Sequence, residues 1–291
     1  MTLTYVAILI AAVFYAVGAL LVKRAAELGV GAWRTAFVAN IIGTLLNLPL
    51  LGLGGTWRWE LWWQPVIVAI CYVGGQVLTF ISFESGDVSV ATPVLGIKIL
   101  LVALLVAVWG GEALRWQLWA AAVLAMLGIA LLNRRGAAGG HHHVGRTIAT
   151  SGAAAACFAM LDVLVQRWSP HWGLGRFLPL VVTIAAVFSL GFIPRFRAPL
   201  STIPWPTWRW LLGGTLIIGI QSTIFVALVA AKGHAASINV VYSSRGLWTV
   251  VLVWWLGHWV QSREQHLERG LLAWRLAGAV TMIAAIALVL T

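Results

Sequence analysis

Two cationic side chains stand where water is scarce. Lys98 lies about ten residues into an apolar stretch that begins at Ser89, and Arg245 about ten residues into one that begins at Ala235. A Lys or Arg at the centre of a membrane helix costs roughly 2.5 to 3.5 kcal/mol on insertion scales, so each must face a wet cavity or a counter-ion. The chemistry open to such a pair is electrostatic capture of an anion. Arg245 offers a planar fork that suits a carboxylate or phosphate, and Lys98 a compact point charge. The competing arrangement is an internal ion pair. Asp162 is the one acid placed well inside an apolar run, while Glu84 and Asp87 lie near the end of another. Asp162 therefore has two readings, a partner for one of these cations or a protonatable group that couples solute movement to a proton.

Gln76 and Gln221 could hydrogen-bond a solute, and Asn239, Tyr242, Ser243 and Ser244 form a polar stripe beside Arg245. A polar side chain between membrane helices is often packing glue worth about 0.6 kcal/mol, so these residues count together rather than singly. Catalytic constellations are absent from the sequence, which has no His-Glu-x-x-His, no Gly-x-Ser-x-Gly and no Walker loop. No enzymatic role, cofactor or metal is expected. Cys71 and Cys157 read as buried free thiols. His141, His142 and His143 stand in GAAGGHHHVG, where a Gly-rich loop lacks the fixed geometry a metal needs, and read as polar linker.

The elements that must position these residues follow from composition. The 291 residues are 61% hydrophobic and 9% charged, with a mean hydropathy of +0.94. Soluble domains carry roughly a quarter charged residues. About 20 apolar residues span the hydrocarbon core as a helix, and ten such runs recur: 3 to 22, 34 to 53, 64 to 83, 89 to 109, 116 to 133, 147 to 166, 176 to 196, 208 to 230, 235 to 256 and 272 to 290. They are continuously apolar, as in Leu100 to Val108, which predicts helices and not a barrel of alternating strands. The predicted fold class is an all-α membrane protein of ten transmembrane helices. The 18 Trp residues crowd the run ends, as at Trp57, Trp59, Trp62 and Trp63, and read as an interfacial belt, so none is assigned to a binding site. The formal charge of +11 is scattered through short loops and forms no basic patch, which excludes a nucleic-acid partner. The N-terminal run lacks a basic leader and a cleavage site and reads as a retained first helix.

An internal repeat divides the chain into residues 1–133, a linker at 134–146, and residues 147–291. Phe14 to Arg24 (FYAVGALLVKR) answers Phe158 to Arg167 (FAMLDVLVQR). Trp33 and Arg34 answer Gly175 and Arg176, and Pro49 answers Pro194. Gly74, Gly75, Gln76 and Phe80 answer Gly219, Ile220, Gln221 and Phe225. Gly86 to Ser89 answer Gly233 to Ala236, Lys98 falls on Arg245, and Gly110 on Gly257. Five spans per half is odd, so the second half must cross the membrane in the opposite sense, giving two inverted five-helix repeats. Carriers use this architecture to exchange inward and outward shapes around a midplane site. Gly86 with Pro93, and Gly233 with Gly246, could loosen their helices near that site.

The five-plus-five layout, SGDVSVATPVLG at 85–96, WGGEALRWQLW at 109–119 with its Gly110, Gly111, Glu112 turn, and the Gly-containing fifth and tenth helices resemble the drug/metabolite transporter superfamily, in particular its ten-helix EamA-type members. The second half departs from that pattern, ending its ninth helix with Gly257, His258 and Trp259 and inserting QSREQHLERG before the tenth. The resemblance implies a multi-pass protein of a bacterial cytoplasmic membrane, a monomer or homodimer. It also implies secondary transport of a small-molecule substrate through a cavity bordered by the third, fourth, eighth and ninth helices. Basic residues on the fourth and ninth helices are similar to those of the organophosphate and nucleotide-sugar branches. A flippase for a lipid or lipid-linked anionic substrate and an exporter of cationic drugs or metabolites are the alternatives on the same fold. Orientation stays open. Twelve of the 19 basic residues flank the odd-numbered connections and five the even-numbered, which places the termini outside, whereas the family arrangement places them in the cytoplasm.

Overall fold

The computed structural model describes residues 2–85, 88–109, 114–132, 144–256 and 269–290. Gly86, Asp87, the Gly110 to Glu112 turn, His141 to His143, Gly257, His258 and Trp259 lie outside the described residues, as does the side chain of Glu84. Among the described residues all regular structure is helical: α1 (Thr2–Glu27), α2 (Ala32–Asn47), α3 (Trp63–Ser85), α4 (Val88–Gly96), α5 (Lys98–Trp109), α6 (Trp116–Leu132), α7 (Val144–Trp172), α8 (Leu174–Ser189), α9 (Trp205–Lys232), α10 (Ala235–Tyr242), α11 (Arg245–Leu256) and α12 (Arg269–Leu290). Each of the ten apolar runs carries helix. Seven segments are long and apolar enough to cross a membrane, and Trp116–Leu132 and Leu276–Leu290 are shorter apolar helices. Lipid offers backbone groups no hydrogen bonds, so a chain this apolar satisfies them within each helix.

Two runs are broken, and both breaks fall just before a partly buried cation. In the run of α4 and α5, Pro93 removes a backbone donor. Ile97 N then bonds to Val94 O at 3.1 Å, a tightened three-residue turn, before α5 starts at Lys98. The run of α10 and α11 lacks a proline and breaks by other means. Ser243 Oγ donates to Val240 O at 2.6 Å, Ser244 N bonds to Val241 O at 3.2 Å and Gly246 N to Ser243 O at 3.1 Å. A serine hydroxyl that competes for a helical carbonyl favours such a turn. Helix α11 then begins at Arg245.

The same backbone devices recur elsewhere in the two halves. Gly31 (φ 79, ψ 151) precedes α2 and Gly173 (φ 78, ψ 150) precedes α8, in a left-handed region that only glycine enters without strain. Both helices then tighten into 3-10 segments, Leu48–Leu53 and Leu190–Arg195. Helix α1 lies against α9, α10 and α11, and α7 lies against α3, α4 and α5. Close approach depends on small residues. A Cβ on Gly18 would stand 3.0 Å from Gly214 O of α9, and one on Gly278 of α12 would stand 2.9 Å from Gly128 O of α6.

Most tryptophans sit as a belt requires, with Trp59, Trp116 and Trp205 at 67, 69 and 82% exposure. Two depart from that reading. Trp172 is buried and donates its Nε1 to Gln64 Oε1 at 3.0 Å, because α7 runs past the expected end at 166 and beneath the loop after α2, where Thr56 N bonds to Trp172 O. Trp248 lies in α11, within the 235–256 run and not at its end. Arg34, counted among the loop cations, is buried and ties down the turn after α1 by donating to Val30 O and Gly29 O.

Candidate functional site

Lys98 at the start of α5 points inward. Its Nζ lies 2.8 Å from Asp162 Oδ2 of α7, with side-chain exposures of 18% and 2%. Asn239 of α10 donates its Nδ2 to the same Oδ2 at 2.7 Å and to Ala235 O at 3.0 Å. Among the described residues both contacts to Asp162 therefore end on one carboxylate oxygen. The internal pair that competed with solute binding is thus present for Lys98, and its desolvated charge is balanced.

Arg245 at the start of α11 is placed differently. Its guanidinium carbon stands 4.5 Å from the Tyr15 ring centroid and 4.8 Å from that of Tyr242, and NH1 donates to Tyr242 Oη at 3.4 Å. Among the described residues it has no carboxylate partner; two aromatic rings stabilise it through their quadrupoles. Tyr242 Oη in turn donates to Gln221 Oε1 of α9 at 2.8 Å. Among the described residues, Ser244 Oγ, adjacent to Arg245 in the chain, and Trp248 Nε1, three residues further on, are buried polar atoms without a hydrogen-bond partner.

Phe225 joins the two environments. It lies one turn beyond Gln221 on α9, its centroid 4.6 Å from the Tyr242 ring and 5.4 Å from Lys98 Nζ. The structure thus brings together Lys98, Asp162, Asn239, Tyr242, Gln221 and Arg245. It does not bring in the other two candidates through their polar groups. Gln76 exchanges two amide hydrogen bonds with Asn40 of α2, each 3.1 Å, and Ser243 turns its hydroxyl to the backbone. Tyr15, Phe225 and Trp248 are residues that sequence reasoning missed. An aromatic ring in an apolar run looks like packing, and the one available signal was the match of Phe225 with Phe80. The implied four-helix border is also too narrow, since α1 supplies Tyr15 and α7 supplies Asp162.

Charge at the site follows from these contacts. Lys98, Arg245 and Asp162 together leave one net positive charge, and the N-termini of α5 and α11 add the positive ends of two helix dipoles. Half-helix N-termini at mid-membrane are where carriers place anionic groups of their solutes.

Residues 2–134 match the EamA-like transporter family. No curated protein sequence matches the chain. Among solved structures, a protein crystal structure superposes with a TM-score of 0.78 at 17% sequence identity, covering 99% of this chain and 96% of that one, which establishes a shared fold across the whole length. That match over residues 2–134 is a likeness in agreement with the drug/metabolite transporter resemblance, and the seven helices long and apolar enough to cross a membrane make the chain a multi-pass integral membrane protein.

Proposed function

We propose that this protein is a secondary transporter that moves a small anionic or zwitterionic metabolite by alternating access, driven by a gradient or by exchange. The observation that carries this reading is Arg245: a guanidinium at the start of α11 with aromatic flanks and no carboxylate partner among the described residues. A solute carboxylate or phosphate would accept from that guanidinium. Lys98 is the second contact, available when Asp162 yields it. Because Asp162 is deeply buried and holds Lys98 through one oxygen, either a solute anion or a proton on Asp162 releases the lysine. The net charge of one favours solutes with a single negative charge.

The alternating mechanism calls for two halves of opposite sense. The matched helix breaks, the paired glycine entries Gly31 and Gly173, and the reciprocal packing of α1 and α7 are what an in-plane two-fold relation produces. The test is solute uptake by proteoliposomes over a panel of anionic, zwitterionic and cationic metabolites, with Arg245→Ala and Lys98→Ala alongside. Uptake of an anion that both variants lose is the expected result. Uptake of cations alone, with both variants fully active, overturns the proposal.

A further inference from the structure

A second site lies away from the central cluster, at the end of the bundle where α1, α3 and α8 finish. Between α2, α3, α8 and the Leu190–Arg195 segment the chain leaves a pocket of about 240 Å³, lined by Trp33, Val77, Ile81, Phe188, Phe192 and Arg195. Trp33 is the second residue of α2 and Arg195 the last of its 3-10 segment, which puts both at headgroup level. Val77 is eight residues from the end of α3, or roughly 12 Å deeper at 1.5 Å per residue. The pocket therefore runs from a polar mouth into a wholly apolar interior. The Trp33 ring is held edge-on by Phe80 and Phe192 at 5.4 and 5.3 Å, and the Arg195 guanidinium lies 5.9 Å from its centroid. Arg195 has no carboxylate partner among the described residues. A volume of about 240 Å³ with this apolar lining suits a hydrocarbon chain.

The two ends of the molecule differ here in a telling way. The corresponding 3-10 segment after α2, LPLLGL, keeps the proline but has no basic residue, while LGFIPR ends in Arg195. Arg176 stacks on Trp57 at the other end, but Arg195 lies at the end facing the connections that hold twelve of the 19 basic residues, where anionic lipid is drawn by basic side chains.

We infer that this pocket binds one anionic phospholipid, its phosphate on Arg195 and one acyl chain laid along Phe188, Ile81 and Val77. The site does not depend on the proposed solute. Native mass spectrometry of the full chain, exchanged from detergent into phosphatidylglycerol or phosphatidylcholine, reads the bound lipid directly. One tightly retained phosphatidylglycerol is expected, lost to the phosphatidylcholine level in Arg195→Gln, kept in Arg197→Gln, and not displaced by added inorganic phosphate. Equal retention of the two lipids, or equal loss in both Arg variants, overturns the inference, and displacement by inorganic phosphate reduces the site to an anion site without a lipid. In the unsubstituted protein, phosphatidylglycerol with a photoreactive acyl group should label the residue 77–81 and 188–192 region. Labelling spread over the other lipid-facing helices sinks the acyl-chain assignment whatever the variants do.

Discussion

Lys98 and Arg245 each begin the second half of a broken helix, yet they live in different surroundings. Lys98 meets a buried carboxylate and shares it with Asn239. Arg245 meets two tyrosine rings and a hydroxyl that is itself tied to Gln221. The backbone of the two halves is alike where the helices break, and the side chains around the breaks are not. Of two positions alike in the backbone, one holds a balanced ion pair and the other a cation flanked by rings. Gln76 and Gln221 repeat the lesson on α3 and α9, since one locks onto Asn40 while the other orients Tyr242.

Removing the carboxylate tests this contrast most severely. Asp162→Ala leaves Lys98 uncompensated at membrane depth, and breaking a buried pair in this way costs about 3 to 5 kcal/mol. Thermal unfolding in detergent should show that loss and should recover most of it in Asp162→Ala/Lys98→Met, whereas Asp162→Ala without any loss would mean the pair contributes nothing. The opposite profile is expected at Arg245. Arg245→Ala should lower anion affinity by about 2 to 5 kcal/mol, the range for truncating a desolvated charged contact, with little change in unfolding temperature; solute binding by scintillation proximity measures the first and unfolding the second.

The matched glutamines sharpen the comparison at smaller scale. Gln76→Leu leaves the buried Asn40 amide unsatisfied, about 1 to 3 kcal/mol of stability, and should leave solute affinity intact. If it instead weakens uptake without destabilising, Gln76 belongs to the site. Last comes Tyr242→Phe, which removes one hydroxyl bridging Arg245 and Gln221 and should weaken solute binding by about 1 kcal/mol, seen as a several-fold rise in KM at unchanged maximal rate.

Much of this was legible in the residue order because the bilayer imposes a length scale. Runs of about 20 apolar residues set the spans, and the observed helices coincide with them, apart from ends such as Trp172. The expense of burying a charge singled out Lys98, Arg245 and Asp162 before any contact was known. The Pro93 break was signalled by composition. The break at Ser243 was not, since it rests on a hydroxyl choosing a backbone carbonyl over a neighbour. Nor was Trp172 distinguishable from its exposed counterparts at the other run ends.

What the sequence by itself determined is therefore the all-helical, membrane-embedded class and the short roster of residues too polar to face lipid, because both follow from transfer of side chains into hydrocarbon. Only the tertiary structure decided how that roster is divided. Asp162 on α7 could have met either cation, and Tyr15 on α1 carried no mark of a role. Which groups meet depends on how α1, α5, α7, α10 and α11 pack, and helix packing in lipid is decided by the close fit of many small contacts that no single residue type announces.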